Sequence, residues 1–132
     1  MADSNVTATV GGVQAAADLS TFQYHLVRYS AANAVNLAVL AVTSNLLGVL
    51  QNKPKSGEFA TVAYGGISKV VAGAAITAGD LLTTSTSGRA IVVTSLASGQ
   101  EMVFGRALTA AGADGDVIPA LIFPPVRWTG AA

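Results

Sequence analysis

The sequence predicts an all-β fold: a small compact barrel or sandwich of short antiparallel strands, with an extended N-terminal arm. Three observations carry that expectation. Short runs rich in Val, Ile, Leu and Thr alternate with Gly-, Pro-, Asn-, Asp- and Ser-rich turns at intervals of about ten residues. No segment shows a convincing long amphipathic helical period. Hydrophobic residues make up 52% of the 132 positions but aromatics only 6%, and small aliphatic side chains suit thin, closely packed β layers.

Residues 1–20 are rich in Ala, Ser, Thr, Asp, Asn and Gly and are interrupted by Gly11-Gly12. Too few large apolar groups are present for the segment to fold alone, so it reads as an arm that frays or orders along a partner. Residues 21–30, TFQYHLVRYS, alternate with a strand period. Phe22, Tyr24, Leu26 and Arg28 fall on one face, and Gln23, His25, Val27 and Tyr29 on the other. Residues 35–42 form a second apolar run, although the Ala-rich stretch Ala31–Val42 is also compatible with a helix. Thr43-Ser44-Asn45 signals a turn and Leu46–Gln51 a short strand. Residues 52–58 form a loop, because Pro54 cannot donate to a ladder and Gly57 supplies turn conformations.

Phe59–Tyr64 reads as a strand, Gly65-Gly66 as a tight hairpin link and Ile67–Val71 as the return. Further strands are expected at Leu81–Thr84, Arg89–Thr94, Glu101–Leu108 and Val117–Phe123. They are separated by turns at 85–88, 95–100 and 111–116. Gly105 marks a bulge or a close backbone approach, and Pro119 an edge or an irregularity. Pro124-Pro125 is expected to end the β domain, which gives an arm (1–20), a domain (21–123) and a tail (124–132) carrying the single tryptophan, Trp128.

Composition narrows function. Charged residues make up only 11% of the chain, seven basic against seven acidic, where about 25% is usual. Zero net charge with so few charges favours association over repulsion. The surface is therefore expected to be covered by copies of the chain or by a partner. Basic residues are scattered singly, so nucleic acid is not an expected partner. The apolar stretch Ala34–Leu50 is broken by Asn36, Thr43-Ser44-Asn45 and Gly48, and falls short of the roughly 20 apolar residues of a spanning helix. No membrane association is expected. Met1–Asn5 has no basic region leading into an apolar core, so no secretory signal is expected.

Chemistry is sparse. With no cysteine and a single histidine, thiolate nucleophiles, disulfides and Cys-ligated metals are excluded. His25 has no sequence neighbour suited to orient it as a general base. Asp114-Gly115-Asp116 brings two carboxylates together, but the longer ligand series of a calcium loop is missing. The glycines match no nucleotide cradle. No catalytic residue, cofactor or metal is expected. Interface residues are expected instead among the aromatics and arginines, which are enriched in interface cores: Phe22, Tyr24, His25, Arg28, Tyr64, Arg127 and Trp128.

From about residue 46 to 123, several segments taken together resemble a known family. They are Leu47-Gly-Val-Leu-Gln-Asn-Lys-Pro-Lys-Ser-Gly-Glu58, Ala60-Thr-Val-Ala-Tyr-Gly-Gly-Ile-Ser-Lys-Val70, Ala75-Ile-Thr-Ala-Gly-Asp-Leu-Leu82, Ser87-Gly-Arg-Ala90, and the run from Phe104 to Ile118. Their order and spacing resemble the capsid decoration (cement) proteins of tailed bacteriophages. Residues 1–30 and 124–132 match less well. The resemblance implies a homo-oligomeric, often trimeric module on the outer capsid surface, bound to the major capsid protein and stabilising the head. The alternative is a carbohydrate- or host-surface-binding β module of a fibre or tail, which the scarcity of aromatic platforms disfavours. A small hydrolase is disfavoured by the lack of an acid–base pair.

Overall fold

Strands buried on both faces read as unbroken apolar runs, whereas strands with one wet face alternate. Both kinds occur here, and the distinction explains the architecture. The computed structural model describes residues 7–39, 45–93 and 102–127. Its strands are β1 (Thr7–Ala15), β2 (Leu26–Ala31), β3 (Ala34–Leu37), β4 (Leu46–Leu50), β5 (Phe59–Val71), β6 (Leu81–Thr84), β7 (Ala90–Val92), β8 (Met102–Ala107) and β9 (Val117–Arg127). No helix occurs among the described residues.

The strand order β1-β3-β2-β4-β5, with β1 pairing back onto β5, closes a five-stranded barrel. The β1–β3 contact is parallel and the remaining barrel ladders are antiparallel. From β5 the sheet continues outward as β9-β8-β6-β7. Two cores result. Val13, Leu19, Val27, Val35, Leu50, Ala60 and Val62 fill the barrel. Leu26, Val49, Ala63, Val70, Leu82, Phe104, Ile118, Ala120 and Ile122 form the second core, between the barrel wall and the outer sheet. Neighbouring residues of one strand serve opposite cores: Leu26 and Val27 on β2, Val49 and Leu50 on β4, Val62 and Ala63 on β5. The run Leu46–Leu50 is apolar throughout because this wall is covered on both sides.

β5 joins the two units. Its first half pairs with β1 and β4, and its second half, from Gly66 to Val71, with β9. Gly65-Gly66 is therefore not a hairpin link, and residues 59–71 form one strand. Gly66 has φ 84°, a conformation that costs glycine little. The register slips at this point, with Ala63 opposite Thr9 and Gly65 opposite Ala8. Tyr64 is left as the extra residue of a β-bulge, which bends a strand and sharpens its twist. Gly-Gly chemistry suits a tight turn and a bulge equally, and partners remote in sequence decide between them.

Other expectations are revised as well. Thr7–Ala15, placed in the arm, is a barrel strand held by β5 and β3. Residues 21–25 make no strand despite their alternation. Two tight turns close there, with Phe22 N–H donating to the Leu19 carbonyl and His25 N–H to the Phe22 carbonyl. The Ala-rich stretch from Ala31 forms a β2–β3 hairpin with Asn33 left-handed, and its residues 40–42 lie outside the described residues, as do Thr43 and Ser44 of the turn placed at 43–45 and the turn placed at 95–100. β9 passes through Pro124-Pro125 instead of ending. The β8 partners jump from Gly105, opposite Ile122, to Val103, opposite Val126. Both prolines thus sit where the ladder skips residues and needs no donor. Gly105 is the expected close approach, since a Cβ there would lie 2.5 Å from the Leu121 carbonyl oxygen. Pro119 is internal, between β5 and β8. Its carbonyl accepts from Leu108 just past the end of β8, so its missing N–H faces the side where no strand partner remains.

Candidate interaction surface

Residues directly opposed across an antiparallel ladder project from the same face. In the outer sheet one row reads Ile67 (β5), Leu121 (β9), Arg106 (β8) and Leu81 (β6), and the next reads Lys69 and Pro119. The opposite face carries Val70, Ile118, Ala120, Ile122, Ala107 and Leu82, all buried in the second core. The wet face should be polar. Instead β9 presents Val117 at 52% and Leu121 at 42% exposure, with exposed Pro119 between them.

Where the barrel meets this sheet, Tyr24, Gln51, Ile67, Ser68, Lys69 and Pro119 line an open groove of about 280 Å³. Tyr24 has φ 67°, a rare state for a bulky residue. The conformation lets one residue bridge the two units, its N–H donating to the Leu50 carbonyl and its carbonyl accepting from Val71. The Lys69 ammonium lies 5.8 Å from the Tyr24 ring centroid, within cation–π range. Gln51 Nε2 donates to Ser68 Oγ at 2.9 Å and to the Val49 carbonyl at 3.1 Å, which fixes the floor of the groove.

The charges are distributed unevenly in role. Asp18, Glu58, Asp80 and Asp116 accept hydrogen bonds from backbone N–H groups of their own turns, at 2.8 to 3.2 Å. Asp114 pairs with Arg89 at 2.6 Å, the one ion pair among the described residues. The Asp114-Gly115-Asp116 carboxylates are therefore engaged in a turn and an ion pair. Among the described residues no three acid, His or Cys side chains cluster as metal ligands would. Lys69 and Arg106 have no carboxylate partner among the described residues. Arg106 donates to the Gly79 carbonyl at 2.8 Å.

The residues singled out from sequence are scattered. His25 is buried at 6% exposure and meets Phe22 edge-on, ring centroids 5.2 Å apart. Arg89 Nε points at His25 Nε2 at 3.4 Å, and His25 Nδ1 lies 3.2 Å from the Gln23 carbonyl. Arg89 can only donate, so Nε2 accepts and the ring proton sits on Nδ1. Burial holds His25 below its usual range and the Arg89 charge adds to this, against the raising effect of the Gln23 and Phe22 carbonyls. Phe22 packs against the barrel core. Arg28 is tied down, Nε donating to the Leu37 carbonyl and a guanidinium nitrogen to the Tyr29 carbonyl. Tyr64 is exposed on its bulge and Tyr24 lines the groove. The backbone of Arg127 ends β9 opposite Met102. Trp128 lies outside the described residues. Sequence reasoning passed over Lys69, Arg106, Val117 and Leu121. The signal available was the outward register of Val117, Pro119 and Leu121, all apolar.

A model of the phage cement protein family matches residues 21–122. The chain belongs to the phage cement protein family. This cement protein resembles, among solved structures, the N-terminal base of head fibre gp8.5 of bacteriophage phi29. The TM-score is 0.62 at 21% identity, over 92% of this chain and 99% of that one, a likeness that shows the shared fold. No curated protein matches. As a phage cement protein the chain is a structural component of the virion, located on the capsid.

Proposed function

We propose that this cement protein binds the outer surface of the major capsid lattice as a homo-oligomer, with a trimer favoured, and stabilises the head as a non-catalytic clamp. The observation that carries the reading is the family match over residues 21–122. The surface supports it: a chain with 11% charged residues exposes Phe59, Val117, Leu121 and Val126, and such apolar surface favours a covering partner. A protein that binds the assembled lattice and not free subunits stabilises the assembly by mass action, and an oligomer adds avidity. Of the residues expected at interfaces, Tyr64 is exposed and Tyr24 lines the open groove, and in this reading the segment Arg127-Trp128 packs on a neighbouring subunit or the capsid. Phe22 and His25 act indirectly, by holding the turn that presents Tyr24, and Arg28 by tying β2 to the end of β3.

The test is thermal rupture of heads with and without the protein. Added to heads that lack it, the protein is expected to raise the rupture temperature until the sites saturate. An unchanged rupture temperature at saturating protein rejects the clamp.

A further inference from the structure

We infer that the exposed face of the β5-β9-β8-β6 sheet, together with the Tyr24 groove, is the face that docks on the shell, and that it docks on an acidic, partly apolar surface. The inference rests on the cement reading and adds which face is used and what chemistry it meets. Three observations lead to it. Ile67, Leu121 and Leu81 share a row with Arg106, beside the row of Lys69 and Pro119, so apolar and cationic groups are interleaved on one surface. Every acid among the described residues is already engaged, four in turns and one with Arg89. Lys69 and Arg106, like Arg28, Lys53 and Lys55 elsewhere on the chain, form no ion pair with a carboxylate among the described residues, and both lie on this face.

These observations also select the occupant. A two-fold contact of this face with itself brings the same patch against the same patch and gathers both copies of Lys69 and Arg106 in one interface, and like charges at an interface cost several kcal/mol. The acids elsewhere on the chain are already held by their own turns or by Arg89, so a copy would share carboxylates that a foreign surface brings afresh. A foreign surface bearing Asp or Glu satisfies both cations, while its aliphatic groups cover Val117, Leu121 and Pro119. In the groove, Lys69 stands beside the Tyr24 ring above a floor fixed by the Gln51–Ser68 bond, so a carboxylate entering the groove meets the ammonium.

The experiment measures binding to heads lacking the protein for three chains: wild type, K69E/R106E and K69R/R106K. Wild-type affinity is expected to fall steeply between about 0.05 M and 0.5 M salt, as the screening length contracts. The charge-reversed chain is expected to bind about a hundredfold more weakly at low salt, and the conservative chain close to wild type. Both sites are exposed, and thermal melting of each variant checks that it is folded. If K69E/R106E melts early, the salt dependence of wild type decides alone. Salt-independent binding, or a folded K69E/R106E that binds as wild type does, overturns the inference and leaves the cement reading standing. Loss of oligomer size in K69E/R106E with head binding retained also overturns it, because the face would then join copies. Failure of wild type to bind heads at all removes the cement reading itself.

Discussion

Tyr24 offers a test of the local geometry that needs no phage. Its φ of 67° places a side-chain-bearing residue in left-handed backbone, which costs about 1–2 kcal/mol. Tyr24→Ala and Tyr24→Gly remove the same ring and lose the same contacts, so they differ only in backbone. Alanine retains the left-handed penalty. Glycine escapes it but loses about 0.4–1 kcal/mol through a freer unfolded chain. The balance leaves Tyr24→Gly the more stable by about 1 kcal/mol. That reverses the order at Tyr29, an exposed β2 residue, where Tyr29→Ala is expected to exceed Tyr29→Gly by about 0.5–1 kcal/mol. Urea titration followed by circular dichroism resolves the difference: at a slope of about 2 kcal/mol/M the midpoints separate by about 0.5 M. If alanine equals or exceeds glycine at position 24, the bridge between Leu50 and Val71 is not built on left-handed backbone and the reasoning fails.

The two cores and the buried histidine give further expected outcomes. Phe104→Ala, emptying the largest fully buried side chain among the described residues, is expected to cost about 3–5 kcal/mol in the same denaturation assay. Gly105→Ala sets a Cβ 2.5 Å from the Leu121 carbonyl oxygen and is expected to cost about 1–3 kcal/mol, whereas Gly11→Ala, with nothing within 4 Å, should stay within about 0.5 kcal/mol. Burial holds His25 below the ordinary histidine range in the fold, so the unfolded chain takes up the proton first. Its contribution is intact above about pH 6.5 and is lost as pH falls through the lower folded value. A pH series of melting temperatures should decline in that window for wild type and flatten for His25→Gln.

Much of the fold could be read from local chemistry. The alternation of Val117, Pro119 and Leu121 outward with Ile118, Ala120 and Ile122 inward is visible in the sequence, and burial follows it. Gly105 and the turns at 52–58 and 111–116 were legible because a single residue type dictates the backbone there. The features that escaped were set at long range. Thr7–Ala15 contains only Val10, Val13 and small residues beside Gln14, and becomes a strand because β5 and β3 complete it. Gly65-Gly66 becomes a bulge because β9 lies ready to pair with residues 66–71. Tyr24 and His25 carry a strand-like pattern but are claimed by tight turns. The surface escaped for a related reason. Lys69 and Arg106 lie far apart in the sequence, and only the register through β9 brings them to one face.

The most direct test of the whole account is an image. Heads assembled without this protein, then mixed with it and reconstructed beside untreated heads, should gain outer density the size of a 132-residue chain or its oligomer, repeated at equivalent lattice positions. Maps of treated and untreated heads that coincide would contradict the claim that this chain is built to seat on a shell.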